Sequence, residues 1–253
     1  MVAAITTDEV KVDVGDSAPM NVYLARPAGP GAHPAVLVCS ELWGLTDQVR
    51  DIARRVAELG YVAIAPNIYY RSGPETADGF AESDANRTRA FELVGGLTRD
   101  DVEADLRACI DLGRDHAGAT GKTGVLGFSL GGHLAFFAAT RLDLAAAAIY
   151  YPGWVPVAGT ALSRPDPLLD HAPAIASRDV RTLMFFAERD HVIDAAQRDR
   201  IGAALDSAGV RHEEVVYPGA QHAFFFPGRE AHDPSAAEDS WTRVTDLFAA
   251  ELT

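Results

Sequence analysis

The chain has 253 residues, a length that a single α/β domain often reaches, and 48% of them are hydrophobic, enough for a large buried core. Its formal net charge of −14 argues against nucleic acid or an anionic membrane surface as a partner. The first residues lack the basic and apolar regions of a signal peptide, and no apolar run approaches the roughly eighteen residues of a transmembrane helix. We therefore expect a cytoplasmic protein.

Predicted strands and helices alternate along the chain after an opening hairpin of residues 9–14 and 20–26. The later strands lie at about 35–40, 61–65, 122–127, 144–151, 181–187 and 212–217. The helices lie near 47–59, 99–116, 130–140, 195–208 and 236–251. Such alternation is typical of a mainly parallel sheet with helices on both faces. No domain boundary is evident, so residues 1–253 are expected to form one α/β domain.

Two connections, residues 67–97 and 153–179, are too long for simple turns. The first contains a short helical patch around 87–93, and the second contains Trp154 and several prolines. Both leave the carboxyl edge of the predicted sheet, where ligands bind in folds of this kind, and long ordered connections often carry function. We expect them to form the walls and lid of a pocket.

A G-x-S-x-G pattern runs from Gly127 to Gly131, between an apolar strand-like run and an alanine-rich helix-forming run. In that setting the serine, Ser129, occupies a tight strand-to-helix turn that exposes its hydroxyl, and the glycines let neighbouring backbone pass close by. The backbone N–H of Leu130 lies at the helix N-terminus, where it can stabilise an oxyanion. The pattern predicts a nucleophilic serine.

A serine nucleophile requires a histidine base oriented by a carboxylate, and in this kind of fold the acid follows a later strand. Three acids follow the predicted strand at 181–187: Glu188, Asp190 and Asp194. Asp194 precedes a helix with glutamine three residues on, which predicts a helix cap, and Glu188 is expected to point to solvent. Asp190 is the predicted acid.

Among the eight histidines, His222 alone both follows the acid in sequence and lies in a loop after the last strand. It is the predicted base. The others are placed before the serine, on helices, beside the acid, at a strand start or in polar loops: His33, His116, His133, His171, His191, His212 and His232.

A second oxyanion donor is expected from the loop after the third strand, which reads Glu41-Leu42-Trp43-Gly44. We expect this donor to be the backbone N–H of Leu42. Glu41 has two interpretations. It is either an auxiliary carboxylate at the mouth of the site or an ordinary loop acid that is solvated or caps nearby backbone.

Several segments together resemble the dienelactone hydrolase family over about residues 10–250. They are S-E-L-W-G at 40–44, G-F-S-L-G-G at 127–132, Y-Y-P-G at 150–153, E-R-D at 188–190 and Y-P-G-A-Q-H-A-F at 217–224. The resemblance implies the α/β-hydrolase fold, with a mostly parallel eight-stranded sheet and helices on both faces. It also implies a hydrolase that acts on small lactones or carboxylic esters without a cofactor.

The chain departs from the best-known members of that family at the nucleophile. Those members have a cysteine, and a glutamate at the position of Glu41 helps to activate its thiol. A hydroxyl cannot be deprotonated near neutral pH by local charge alone, so Ser129 must depend on His222. The role of Glu41 is therefore left open.

A second departure concerns substrate charge. The same members bind a substrate carboxylate with two arginines, one of them four residues after the catalytic histidine, and that position is Phe226 here. The other arginine would come from the loop after the fourth strand, where Arg71, Arg87 and Arg89 are candidates. The missing arginine predicts a neutral or more apolar substrate.

The predicted pocket is small and largely apolar. Its candidate lining residues are Trp43, Arg87, Tyr150, Trp154, Phe224 and Phe226. The sequence contains neither a metal-binding pattern of the H-E-x-x-H or C-x-x-C type nor a phosphate-binding loop, so no metal or cofactor is expected. A general carboxylesterase, another acyl hydrolase and a non-catalytic binding protein on the same fold are the alternatives, and the oligomeric state stays open.

Overall fold

An antiparallel hairpin opens the fold in the computed structural model, which describes residues 4–15 and 17–253. The described residues form eight strands: β1 Ile5–Val12, β2 Met20–Pro27, β3 His33–Cys39, β4 Val62–Pro66, β5 Ala119–Phe128, β6 Ala146–Tyr150, β7 Arg181–Arg189 and β8 His212–Gln221. Their hydrogen-bonded order in one sheet is β1-β2-β4-β3-β5-β6-β7-β8. This confirms the predicted eight-stranded α/β-hydrolase sheet.

The helices follow the predicted alternation with the strands. They are α1 Asp47–Glu58, α2 Asp84–Gly95, α3 Arg99–Asp115, α4 Leu130–Arg141, α5 Ala172–Ser177, α6 Ala195–Ala208 and α7 Pro234–Glu251. The short α5 was not predicted, and α2 extends the helical patch expected in the first long connection. None of these helices, over the residues described, has both the length and the apolar character that a membrane span requires.

The chain divides into two compact units, Met1–Gly124 and Val125–Thr253. In the first unit β2 pairs antiparallel with β1 and β4, and β3 pairs parallel with β4. In the second unit β6, β7 and β8 pair in parallel. The expectation of one domain over residues 1–253 remains a prediction.

Burial explains why β4 and β6 read as continuous apolar runs. Every residue of both strands is buried. Helices α1 and α3 contact β4, and helices α4 and α7 contact β6. Strands covered in this way have no solvent-facing side and lose the polar alternation of an exposed strand.

A buried ionic cluster ties the first long connection to α3. Asp105 on α3 is fully buried and accepts hydrogen bonds from both terminal nitrogens of Arg71, at 2.6 and 2.8 Å, and from the Tyr70 hydroxyl, at 2.9 Å. These partners compensate for the loss of water around the carboxylate. The cluster therefore fixes the start of the connection.

Replacing Asp105 with alanine should lower the free energy of unfolding by about 2–3 kcal/mol, because the Arg71 guanidinium and the Tyr70 hydroxyl lose a charged acceptor. The Arg71 side chain is 26% exposed, so water can partly replace the lost partner and limit the loss. Urea unfolding would measure this change in the free energy of unfolding. Glu103→Ala is the control, because its pair with Arg107 lies at the surface and should contribute about 0.5 kcal/mol or less. A loss below about 1 kcal/mol for Asp105→Ala would contradict this account.

Candidate active site

Ser129 joins the end of β5 to the start of α4 in a strained conformation. Its φ is +54° and its ψ is −112°, a region that non-glycine residues rarely occupy. Such strain is typical of functional turns, and it places the serine at the tip of the elbow that G-x-S-x-G predicts.

Backbone contacts explain two glycines of this segment. A Cβ atom on Gly127 would lie 1.9 Å from the carbonyl oxygen of Gly131, and a Cβ on Gly132 would lie 2.6 Å from that of Tyr150. Both distances are too short for any side chain. The turn can therefore be this tight only with glycine at these positions.

The three predicted catalytic side chains meet in the second unit. Ser129 Oγ lies 2.9 Å from His222 Nε2, and His222 Nδ1 lies 2.8 Å from Asp190 Oδ2. With the proton on Nδ1, the imidazole donates to the carboxylate and accepts from the serine hydroxyl. This is the geometry in which a histidine can take a proton from serine.

Asp190 is held by the backbone that follows it. Its Oδ1 accepts hydrogen bonds from the N–H groups of Val192 and Ile193, at 2.7 and 3.1 Å, and its side chain is only 1% exposed. The His222 side chain is 11% exposed. A dry, fixed carboxylate of this kind strengthens its hydrogen bond to the imidazole.

The rival acids have other partners. Asp194 caps α6, where its Oδ1 accepts the Gln197 N–H at 2.8 Å, as the sequence predicts. Glu188 is exposed, also as predicted, and its Oε2 accepts the Gly219 N–H at 2.8 Å. That contact could not be read from the sequence, because it joins two strands.

Two aromatic rings lie beside His222 in contacts that were not predicted from the sequence. The Tyr151 ring contacts the imidazole edge to face, with centroids 4.9 Å apart, and the His191 ring lies 5.5 Å away. Tyr151 has a φ of +35° and is fully buried. Tyr151 lies in the Y-Y-P-G segment and His191 directly follows the predicted acid, but neither signal specifies a contact with the imidazole.

The predicted pocket residues of the second unit differ in their surroundings. Tyr150 is buried and stacks on Phe128 at a centroid distance of 4.5 Å, while Phe224 packs against Tyr151. Trp154 is partly exposed, has a φ of +62° and lies 6.1 Å from the His133 ring. Their place in a substrate pocket stays a prediction.

Phe226 is 1% exposed and packs its ring against Phe128, at 5.0 Å between centroids. The guanidinium of Arg229 lies 4.8 Å from the Phe226 ring. The sequence prediction did not consider Arg229. Because Phe226 is enclosed by aromatic neighbours, a charged side chain there would be buried at high cost.

The turn after β3 lies in the first unit and contains the predicted second donor, Leu42. The Tyr69 hydroxyl donates to the Leu42 carbonyl at 3.0 Å, and the Phe80 N–H donates to the Trp43 carbonyl at 2.8 Å. Burial raises the pKa of Tyr69, so its hydroxyl stays a donor. Glu41 in the same turn is 4% exposed, which contradicts a solvated acid and leaves an auxiliary carboxylate or a backbone-capping acid.

The three candidate arginines of the first unit all have carboxylate partners. Arg71 binds Asp105, Arg89 lies 3.2 Å from Glu75, and Arg87 lies 3.6 Å from Glu82. Arg87 also stacks over the Trp43 ring at 5.5 Å.

Neither cysteine is a plausible nucleophile. Both thiols are buried, and burial raises the pKa of Cys39 to about 12. Within the described ranges, no group of three or more histidine, cysteine or acidic side chains is arranged to hold a metal ion.

An eight-stranded sheet with a serine elbow and this hydrogen-bonded triad defines an α/β-hydrolase. The model of the dienelactone hydrolase family matches residues 20–252. The chain therefore belongs to the dienelactone hydrolase family, and it is a hydrolase of that type.

Similar proteins support this membership. A Synechocystis protein and a Salmonella typhi protein, each named "Putative carboxymethylenebutenolidase", are both 33% identical to the chain. The alignments cover 91% of this chain and 91% of the first relative, and 93% of this chain and 83% of the second. A solved Klebsiella pneumoniae structure named "Putative Dienelactone Hydrolase" is 29% identical to this chain, with a TM-score of 0.86. The superposition covers 97% of this chain and 99% of the Klebsiella chain.

Proposed function

We propose that this protein hydrolyses small lactones or carboxylic esters through a covalent acyl-serine intermediate. The observation that carries the proposal is the continuous hydrogen-bonded chain from Ser129 through His222 to Asp190. The family and the names of the relatives support lactone and ester bonds as the bonds cleaved. We further propose a cytoplasmic protein without nucleic acid or membrane partners.

In the first half-reaction, Ser129 Oγ attacks the carbonyl carbon while His222 Nε2 takes the hydroxyl proton. The carbonyl oxygen gains negative charge, which the N–H groups of Leu130 and Leu42 stabilise in this proposal. The tetrahedral intermediate collapses when the ester oxygen leaves with the proton from His222. In a lactone, that oxygen stays attached to the acyl group.

In the second half-reaction, His222 takes a proton from water, and the resulting hydroxide attacks the acyl carbon. The proton then returns to Ser129 Oγ as the acyl–oxygen bond breaks, which releases the carboxylic acid. Asp190 keeps the Nδ1 proton in place and stabilises the imidazolium formed in both halves.

The charge of the substrate follows from the residues available to bind it. A carboxylate left without a charged partner in a partly apolar site costs about 1–3 kcal/mol or more. Position 226 carries a buried phenylalanine, and Arg71 is bound to the buried Asp105. Arg87 and Arg89 form surface ion pairs, and their side chains are about half exposed. We therefore propose neutral short-chain esters and uncharged lactones as the preferred substrates, by about tenfold or more in kcat/KM.

A panel of matched chromogenic esters, lactones and amides, each neutral or with a carboxylate, tests this function. The expected result is hydrolysis of neutral lactones and short esters that is lost in Ser129→Ala. Cleavage of esters with no lactone turnover would favour a general carboxylesterase. No turnover and no covalent labelling of Ser129 would favour a binding protein and contradict the proposal.

Glu41 is proposed as an auxiliary group that helps to position the reacting serine or water. Glu41 is buried, and glutamine has nearly the same shape as glutamate, so Glu41→Gln should leave the fold intact. We expect this substitution to lower kcat by roughly 10 to 10³-fold. The kcat and its pH profile would be measured beside those of Glu58→Gln, which changes an exposed glutamate of the same unit. An unchanged kcat and pH profile in Glu41→Gln would leave the carboxylate a purely structural role.

A further inference from the structure

A bulge lies directly before His222, where β7 and β8 lose their regular register. Ala187 pairs with Tyr217, and the next pair is Arg189 with Gln221. β8 therefore contains additional residues opposite Glu188. Pro218, at the start of the bulge, has no N–H to donate to the ladder.

Glu188 bridges this bulge. Its Oε2 accepts the backbone N–H of Gly219 at 2.8 Å, and Gly219 has a φ of +74° that suits glycine. Glu188 precedes Asp190 by two residues, and Gly219 precedes His222 by three. The contact thus joins the backbone just before the acid to the backbone just before the base.

We propose that Glu188 is a positioning residue for His222. This inference rests on the proposed function, in which His222 is the general base. Asp190 binds the imidazole ring, whereas Glu188 binds the backbone that carries the ring. Both acids of the E-R-D segment then serve the same histidine, one through its side chain and one through its main chain.

The bond matters more for geometry than for stability. A carboxylate that accepts a backbone N–H makes a charge-assisted hydrogen bond. Glu188 is exposed, so water can take the place of either partner, and the bond contributes little to the free energy of unfolding. The catalytic rate depends more strongly on this geometry than stability does, because a misplacement of about 1 Å in a reacting group can lower the rate on the order of 10²-fold. We therefore expect variants of Glu188 to lose kcat while keeping their stability.

Three substitutions separate the hydrogen bond from the charge. Glu188→Gln removes the charge but keeps an acceptor oxygen at the same reach. Glu188→Asp keeps the charge but shortens the reach, and Glu188→Ala removes both. Glu238→Ala, an exposed acid on α7, controls for the loss of one negative charge elsewhere on the unit.

The expected result is a kcat about tenfold lower in Glu188→Ala and Glu188→Asp, with KM within about twofold of wild type. Labelling of Ser129 by a fluorophosphonate should slow by the same factor, since it also needs the base. Glu188→Gln should keep more than about half of the wild-type kcat, and Glu238→Ala should match wild type. The thermal midpoint of every variant should stay close to that of wild type.

Two results would overturn the positioning role. One is a kcat for Glu188→Ala within about twofold of wild type. The other is an equal loss in Glu188→Gln and Glu188→Ala with Glu188→Asp unaffected, which would assign the effect to charge. Ser129→Ala in the same assay separates the two proposals. If it stays active the proposed function is wrong, and if it is inactive while Glu188→Ala is fully active, only the positioning role is wrong.

Discussion

Ser129→Ala and His222→Ala should each lower kcat by on the order of 10⁴-fold or more, and the double variant should be little slower than either single one. The reason is that the serine and histidine act as one unit through the 2.9 Å contact between Oγ and Nε2. Initial rates on a neutral ester would measure the effect, and circular dichroism would confirm that each variant is folded.

Ser240→Ala is the matched control for the serine. Ser240 is a buried serine of the same unit, and its hydroxyl donates to the Ala237 carbonyl at 3.0 Å. Its loss should leave kcat unchanged. If Ser129→Ala retained more than about a tenth of the activity, or if losses in the double variant multiplied, the triad assignment would be wrong.

Asp190→Asn should lower kcat by on the order of 10⁴-fold, through the tautomer of His222. The Asn oxygen can keep the bonds from the Val192 and Ile193 N–H groups that Oδ1 now accepts. The amide nitrogen then faces Nδ1 and donates to it. The imidazole proton must move to Nε2, which can no longer accept the proton of Ser129.

Asp194→Asn is the control for this substitution. Asp194 caps α6, and asparagine caps helices about as well as aspartate, so both kcat and stability should stay near wild type. Steady-state kinetics on both variants would decide between the two acids. A larger kcat loss in Asp194→Asn than in Asp190→Asn would contradict the choice of Asp190.

The buried position of Phe226 decides how the predicted preference for neutral substrates can be tested. Phe226→Arg would place an arginine at the position where the best-known family members have one, and so would be the direct way to seek binding of anionic substrates. Since the ring is enclosed by aromatic neighbours, a guanidinium there would have to be buried without a partner or force the cluster open. Loss of folding is the expected outcome, so matched neutral and anionic substrates on the unaltered protein are the better test.

The positions of the strands and the choice of Ser129, Asp190 and His222 could be predicted from the sequence because each rests on a local pattern. Ser129 lies in a glycine-bounded turn, and Asp190 and His222 each follow a strongly apolar or β-branched strand. A fixed order of strands in the fold then brings the three loops to the same edge.

What the sequence missed depends on contacts between distant segments. The Glu188 contact arises from a register shift between β7 and β8, and no local residue pattern specifies the partner of Gly219. The pairing of Arg71 with Asp105 joins a loop to a helix in the same way. The packing of Tyr151 against His222 likewise joins distant segments, and the sequence does not specify the positive φ of Tyr151.

Mass spectrometry after treatment with a fluorophosphonate tests the central claim most directly. The reagent requires a serine made nucleophilic by its base, so we predict one adduct per chain, located on Ser129, and greatly slowed labelling in His222→Ala and Asp190→Asn. The buried thiols of Cys39 and Cys109 should remain unmodified. An adduct on another residue, or no adduct on Ser129 in the folded wild-type protein, would contradict the account.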